Sequence, residues 1–172
     1  MSSPASNTQQ VVAQLVRDFR LQPHPEGGFY RETYRATQGV QNASGQTRSA
    51  STCIYYLLEG RAYSAWHRIA CDEIWHFYSG TSLKIHVLDD SRGLTTHTLG
   101  NPLIAPGALF QAVAPAHCWF AAELADVDSY ALVGCTVAPG FEFSEFELAD
   151  TAALQRHYPD HAALIARLGA RA

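Results

Sequence analysis

A histidine and a glutamate lie close together in one segment of the sequence, GRAYSAWHRIACDEIWHFYSG, which covers residues 60–80. Glu73 follows His67 by six positions, and the residues around both are aromatic and β-branched, as is typical of strands. The short polar break at Cys71-Asp72 predicts two neighbouring strands. A histidine and a carboxylate that project from neighbouring strands into one concavity can bind a metal ion, move a proton or hold a hydroxylated ligand.

Alternation along the second strand places Glu73, Trp75 and Phe77 on one face and His76 on the other. Because large aromatic side chains favour the interior, we expect Glu73 to point inward, with Trp75 and Phe77 beside it as ligand-binding residues. A carboxylate among aromatic rings loses its solvation, so the pKa of Glu73 should rise unless a cation or a metal ion compensates.

His67 shares its face of the first strand with small and apolar residues, so it is also expected inside. Titratable groups in an aromatic cavity are costly to keep for structure alone, which favours a catalytic role for His67 and Glu73. The structural alternative is that Glu73 lies near the mouth of the cavity and pairs with Arg31 or Arg68.

Other residues are predicted to contact a ligand. Gln111 and Trp119 lie on strands that flank a proline turn, and an amide and an indole facing the cavity would suit a polar, ring-shaped ligand. Glu26 and Arg31, on either side of a double glycine, are expected to reach the mouth of the cavity.

One of two adjacent tyrosines must also face inward, because neighbouring residues on a strand alternate. We take Tyr55 as the third catalytic candidate, with Tyr56 as the alternative. An inward tyrosine could donate a proton to a ligand, or it could satisfy a hydrogen bond of the core.

Composition restricts the class of protein. With 172 residues, 47% of them apolar, the chain suits a single domain with a substantial core. A formal charge of −4 without a basic run gives little support for a nucleic-acid partner. The first ten residues, MSSPASNTQQ, lack the features of a secretory signal, and no apolar run approaches the roughly 18 residues of a membrane span. Four scattered cysteines then suit reduced thiols, so we expect a cytoplasmic protein with no membrane contact.

The pattern of elements predicts an all-β fold. A helix is predicted over residues 7–19, from apolar residues at helical spacing, and a strand over 29–35. His86 alternates with Lys84 on its strand and is predicted to face solvent. Many short strands without intervening helices favour a jelly roll. Eight further strands are predicted, at 51–58, 62–69, 73–78, 83–88, 94–99, 109–113, 118–123 and 130–137.

The C-terminal part is predicted to cover a sheet. Residues 142–148 alternate apolar and acidic side chains and could form an edge strand. Asp150 can cap a short helix that runs through His157, and a second helix should start near Pro159 and end at Gly169.

The motif His67-x5-Glu73-x6-Gly80, preceded by Gly60, resembles the first motif of the cupin superfamily. The segments PEGGFYRETYR (25–35), IYYLLEG (54–60), WHRIACDEIWHFYSG (66–80) and VGCTVAPGFEF (133–143) together resemble cupin family five, a domain of unknown function numbered 985. The resemblance covers about residues 11–148, within one domain over 1–172 that ends in a helical tail at 150–169. It implies a double-stranded β-helix of the RmlC-like type, a homodimer, and a ligand cavity inside the barrel.

The chain departs from the general cupin pattern at two of the usual metal ligands. Aligned on Glu73, the second histidine of the first motif falls at Ile69. In the second motif His117 takes the position of a glycine, and Phe120 takes that of the last histidine.

The metal-ligand set is therefore incomplete. His67 and Glu73 remain, whereas a first-row metal ion typically takes three or more protein ligands. His24, Glu26 or Gln111 could add a ligand, although no spacing supports it. We expect no cofactor, and His67 with Glu73 as the ligands should a divalent metal bind.

These observations support three hypotheses, in this order. The first is a metal-independent epimerase or isomerase of a sugar, including a nucleotide-sugar-like compound, in which His67 and Glu73 transfer protons; by analogy, the dTDP-sugar epimerases of the superfamily work without a metal. The second is a protein that binds a small molecule without catalysis. The third is a metal-dependent oxygenase or isomerase.

Overall fold

The computed structural model describes residues 4–42 and 45–170. The chain opens with helix α1 (Pro4–Asp18), which begins three residues before the predicted start because a proline suits the first turn of a helix. The helix packs through Val12, Leu15 and Val16 on the outer side of a sheet, against Leu57 and Leu132.

Strands dominate the rest of the chain. The predicted strand at 29–35 and the eight that follow it, up to 130–137, are all present, with ends that differ by at most two residues from the prediction. In the described residues the strands are β1 (Gln22–Pro23), β2 (Phe29–Arg35), β3 (Gly39–Gln41), β4 (Thr47–Ser49), β5 (Thr52–Glu59), β6 (Tyr63–Arg68), β7 (Glu73–Gly80), β8 (Leu83–Asp89), β9 (Gly93–Leu99), β10 (Gln111–Ala114), β11 (Trp119–Leu124), β12 (Tyr130–Val137) and β13 (Glu147–Leu148).

Two antiparallel sheets enclose the core. The first has the order β1-β2-β5-β12-β7-β10, the second has the order β13-β6-β11-β8-β9, and β3 and β4 form a separate hairpin. The inner faces bury Tyr56, Trp75 and Phe120, whose rings pack edge to face, Tyr56 on Trp75 and Trp75 on Phe120, with centroids 5.7 Å and 6.5 Å apart. The predicted all-β jelly roll, a double-stranded β-helix, is confirmed.

The C-terminal tail covers the outer face of the second sheet. Helix α2 (Thr151–His157) is capped as predicted, because Oδ1 of Asp150 accepts a hydrogen bond from the amide of Ala153. A 3-10 turn (Pro159–His161) leads into α3 (Ala162–Arg167). Leu154, Ile165 and Leu168 pack in one buried cluster with Trp66. None of the helices in the described residues is long and apolar enough to span a bilayer.

Two predictions about this region are wrong. Only β13 of the stretch 142–148 is a strand, and it follows a 3-10 turn (Phe143–Glu145). His86 is buried rather than exposed: its ring nitrogens pair with Thr96 and Glu123, and Glu123 in turn binds Arg167 of α3. Alternation along β8 correctly predicts that His86 faces away from the core between the sheets, but the C-terminal tail covers that outer face.

Candidate functional site

A cavity of about 150 Å³ lies between the two sheets. Side chains of β2, β5, β6, β7 and β12 line it, together with the loop at 24–26 and the segment 141–146. Its polar lining in the interior consists of the side chains of His24, Glu26, His67, Glu73 and Cys135. The apolar lining includes Ile54, Ile69, Val137, Phe141, Phe143 and Phe146.

His67 and Glu26 form a buried pair in this cavity. Nε2 of His67 lies 3.1 Å from Oε2 of Glu26, and only 2% and 7% of the two side chains are exposed. Nδ1 of His67 lies 2.7 Å from the carbonyl oxygen of Ala65. Because a carbonyl can only accept, the ring proton sits on Nδ1, and Nε2 presents its lone pair to Glu26.

Burial sets the protonation of this pair. Loss of solvation lowers the pKa of His67 to about 4 and raises the pKa of Glu26 above its ordinary value. Near neutral pH the imidazole is therefore uncharged. Because its Nε2 is then an acceptor 3.1 Å from Oε2 of Glu26, the proton of this hydrogen bond belongs to the Glu26 carboxyl group. Ser64 donates a second hydrogen bond to Oε1 of Glu26 at 2.9 Å. The pair can pass its proton in either direction across one hydrogen bond.

Glu26 is held in place by residues 25–28, which we call the PEGG loop. Gly27 has a φ of +114°, and a Cβ there would clash with the carbonyl oxygen of Tyr63, so no other residue fits without a shift. The hydroxyl of Tyr56 donates to the carbonyl of Gly27 at 2.7 Å, and the amide of Ala65 donates to the carbonyl of Glu26 at 3.0 Å. These bonds fix the loop against β5 and β6.

Glu73 is the second carboxyl group of the cavity. Burial, and then the nearby Glu26, raise the pKa of Glu73 to about 8, although a hydrogen bond from Cys135 opposes the shift. The structural alternative of an ion pair is wrong. Arg31 donates to the carbonyl of Phe19, which removes it from the cavity, and Arg68 pairs with Glu147 on the outer surface. Glu73 is thus a neutral acid at physiological pH.

His24 is a cavity residue that was considered in the sequence only as an additional metal ligand. Nδ1 of His24 accepts a hydrogen bond from the backbone amide of Glu26 at 3.2 Å, so its proton sits on Nε2. Its ring packs edge to face on Tyr30, with centroids 4.5 Å apart. Burial lowers the pKa of His24. In the sequence, the position of this histidine two residues before Glu26, in a constrained loop, could have indicated that it belongs to the site.

Comparison with known proteins identifies the family. The family model described as "Cupin superfamily (DUF985)" matches residues 13–149. The chain belongs to this cupin family. The resemblance expected over about 11–148 is thereby confirmed. An uncharacterised protein of Saccharomyces cerevisiae is 27% identical in an alignment of 173 positions, gaps included, that covers 84% of this chain and 76% of the relative.

Two solved structures are similar over nearly their whole length. A hypothetical protein from Leishmania major has a TM-score of 0.85 and 31% identity, with 92% of this chain and 98% of the other covered. A protein from Shewanella oneidensis, solved by X-ray crystallography, has a TM-score of 0.81 and 38% identity, with 91% and 95% covered.

The donor set does not fit the metal centre of a general cupin. The ring of Phe120, at the position of the last histidine, lies 4.1 Å from the ring of His67, centroid to centroid. Ile69 occupies the position of the other missing ligand, and Nε2 of His67 is engaged by Glu26. Throughout residues 4–42 and 45–170, no group of three histidine, cysteine, aspartate or glutamate side chains could hold a metal ion.

The expected inward placement of Tyr55, on which its choice as a catalytic candidate rested, is wrong. Its ring packs outside the barrel against Phe19 and Tyr78, with centroid distances of 5.0 Å and 5.9 Å. Tyr56 is the inward residue, 1% exposed, and its hydroxyl supports the PEGG loop. It satisfies a structural hydrogen bond, the second of the two roles considered for an inward tyrosine.

Gln111 and Trp119 also face away from the cavity. Gln111 pairs in register with the outward His76, and its amide donates to Nδ1 of that histidine at 2.9 Å. Trp119 precedes the inward Phe120, so it lies on the outer face, where the guanidinium of Arg68 stacks 4.4 Å from its ring.

Trp75 and Phe77 of β7, which were expected to contact a ligand, do not line the cavity. Trp75 points inward as expected, but it lies in the packed core between Tyr56 and Phe120. Phe77 packs against the edge of the same cluster and is partly buried. The aromatic wall of the cavity comes instead from Phe141, Phe143 and Phe146, which follow the last long strand.

Proposed function

We propose that the protein is a metal-independent isomerase or epimerase, which moves a proton on the carbon next to a carbonyl group of a small molecule. The observation that supports this proposal is the buried Glu26–His67 pair, which shares one cavity with the protonated carboxyl group of Glu73. A proton donor and a proton acceptor that are both uncharged suit a buried site, because neither must be desolvated as an ion.

The reaction needs one proton removed and one delivered. Glu73 donates a proton to the carbonyl oxygen as Glu26 takes the proton from the neighbouring carbon. The resident proton of Glu26 passes at the same time to Nε2 of His67. The products of this half-reaction are a neutral enol, a Glu73 carboxylate and a His67 imidazolium. Return of a proton to the other face or to the adjacent carbon gives the isomer and restores the three groups.

Exchange of carbon-bound hydrogen tests this proposal. In deuterium oxide, the wild-type protein should replace hydrogen by deuterium at the carbon next to the carbonyl of its substrate, so that the proton NMR signal of that carbon disappears. Treatment with a chelator should leave the rate of this exchange unchanged. Glu26→Gln and Glu73→Gln conserve size and should slow exchange by about 10²- to 10⁴-fold. Glu147→Gln, a change on the surface, is the matched control.

Two results would contradict the proposal. Binding of the compounds that fit the cavity without any exchange of hydrogen would favour a protein that binds a small molecule without catalysis. Exchange that is lost with the chelator and restored by a divalent metal ion would favour the metal-dependent alternative.

A further inference from the structure

We infer that the compound that occupies this cavity is small and uncharged. It is a short-chain hydroxyketone or hydroxyaldehyde without a phosphate or carboxylate group. An alkyl group on this compound favours its binding. The assignment of a carbonyl group rests on the proposed function, whereas size and charge follow from the cavity itself. A nucleotide-sugar, which the sequence led us to consider, does not match these properties.

The volume limits the size of the compound. Pockets for drug-sized ligands measure roughly 300–1,000 Å³, and a cavity of about 150 Å³ in another protein accommodates benzene. A volume of about 150 Å³ in this chain therefore suits on the order of six to eight non-hydrogen atoms. A monophosphorylated triose already exceeds that number, and a nucleotide exceeds it several-fold.

The charges inside the cavity disfavour an anion. Glu73 holds its proton because of burial, which also raises the pKa of Glu26, and an anion beside these carboxyl groups would add a negative charge without a partner. Burial also keeps His24 and His67 uncharged near neutral pH, so neither offers a cation. The described residues of the interior supply hydrogen bonds to a neutral oxygen, but none of them carries a free positive charge for a carboxylate.

The charges at the mouth of the cavity do not favour an anion either. Arg35 is the arginine that lines the cavity, and its guanidinium already binds both oxygens of Glu32, at 2.8 Å and 3.0 Å. It also donates to Glu142 at 2.8 Å and to the carbonyl of Phe141 at 3.1 Å. One cation with two carboxylates leaves a net negative mouth, which repels a phosphate group.

A second arginine near this end is also paired with a carboxylate, although its Nε atom is buried without a hydrogen-bond partner in the described residues. Arg48 is buried, forms an ion pair with Glu145 and donates to the carbonyl of Gly140 at 2.5 Å. The remaining wall is made of isoleucine, valine and phenylalanine side chains, which favour contact with an alkyl group of the ligand. Hydrogen-bonding groups and an apolar wall in one small cavity suit a compound with a polar and an apolar end.

One pair of probes tests charge at equal size, and a second pair tests charge and size together. Binding to the full chain is measured by calorimetry and by the NMR signals of His67, with 3-hydroxybutan-2-one against pyruvate, and dihydroxyacetone against its phosphate. We expect each neutral compound to bind at least roughly tenfold more tightly than its anionic counterpart. Equal or tighter binding of the anions, or no binding of either neutral compound up to its solubility, would overturn the inference.

A variant at the mouth separates charge from size. Glu32 and Glu142 are partly exposed, so a Glu32→Gln, Glu142→Gln protein should fold, and it leaves Arg35 without a charged partner. Affinity for pyruvate should rise roughly tenfold while affinity for 3-hydroxybutan-2-one stays constant. An unchanged preference in this variant would count against the role assigned to the mouth.

The outcomes for this inference and for the proposed function are distinct. Tight binding of a neutral probe without hydrogen exchange contradicts the proposed function and supports the inference. Exchange in dihydroxyacetone phosphate at a rate that matches or exceeds the rate for dihydroxyacetone supports the proposed function and overturns the inference.

Discussion

Nε2 of His67 lies 3.1 Å from Oε2 of Glu26, and no arginine or lysine in the described part of the chain pairs with either side chain. The sequence paired His67 with Glu73, the carboxylate six positions away. The structure instead places the carboxyl of the PEGG loop against the imidazole and leaves Glu73 as a separate acid in the same cavity. The protonation of these three groups therefore depends on burial more than on ion pairing.

The first prediction concerns the titration of the site. NMR signals of the Glu73 carboxyl carbon should titrate at about pH 8 and those of the His67 ring at about pH 4, because burial disfavours both charged forms. Hydrogen exchange that needs a neutral His67 and a protonated Glu73 should then have a bell-shaped pH profile with limbs near these values. If the titration near pH 8 is absent in Glu73→Gln, the signal belongs to Glu73. A Glu73 carboxyl group that titrates at the ordinary pKa of a glutamate contradicts the prediction.

The second prediction links Glu73 to stability. The folded state holds the proton of Glu73 up to about pH 8, whereas the unfolded chain releases it near its ordinary value of 4.5. The folded state thus binds more protons between these values, so the free energy of unfolding falls as pH rises. Glu73→Gln lacks this proton, and its stability relative to wild type should rise by a few kcal/mol from about pH 5 to about pH 8, at about 1.4 kcal/mol per pKa unit.

Urea denaturation across that pH range measures this difference. Groups distant from Glu73 titrate in both proteins, so their contributions cancel when the two curves are subtracted, whereas Glu26, which is coupled to Glu73, contributes to the difference. The exposed substitution Glu147→Gln should give a curve parallel to that of wild type. A parallel curve for Glu73→Gln as well would mean that Glu73 is ionised in the folded protein.

Periodicity predicted the part of the site that lies on regular strands. Alternation was sufficient to place His67 and Glu73 inside, because each has inward neighbours on its own strand. Alternation also requires that one of Tyr55 and Tyr56 face inward, but it does not decide which. Gln111 was assigned to the cavity because an amide suits a ligand, whereas its pairing with the outward His76 decides its direction.

Residues outside the strands could not be placed in this way. Glu26 lies in a loop whose path depends on contacts with β5 and β6, and no period in the sequence describes such contacts. Phe143 and Phe146 lie in and just after a 3-10 turn, so their spacing was mistaken for a strand pattern. The motifs that resemble a cupin predicted the fold well, since they occur in several parts of the chain, but they did not indicate the Glu26–His67 pair.

The third prediction separates the two tyrosines. Tyr56→Phe removes the donor to the carbonyl of Gly27 and leaves that buried oxygen unpaired, which should cost about 1–3 kcal/mol of unfolding free energy. Tyr55→Phe keeps the ring contacts with Phe19 and Tyr78 and should change stability by less than about 0.5 kcal/mol. Chemical denaturation of both variants is the measurement, and equal effects would contradict the inward assignment of Tyr56.

The fourth prediction concerns the PEGG loop. Gly27→Ala places a methyl group against the carbonyl oxygen of Tyr63, so the loop must move and take Glu26 with it. Gly93, with a φ of +71° and no atom within 4 Å of an added Cβ, is the matched control for backbone strain alone. Gly93→Ala should cost about 1–2 kcal/mol, the penalty of a left-handed conformation. Gly27→Ala should cost at least ~2 kcal/mol more, from the clash.

The effect of the loop on the contact between Glu26 and His67 can be measured in the same pair of variants. In Gly27→Ala the NMR titration of His67 should shift from that of wild type, because the partner of Nε2 has moved, whereas Gly93→Ala should leave it unchanged. A Gly27→Ala protein as stable as Gly93→Ala, with an unaltered His67 titration, would mean that the loop does not hold Glu26 against the imidazole.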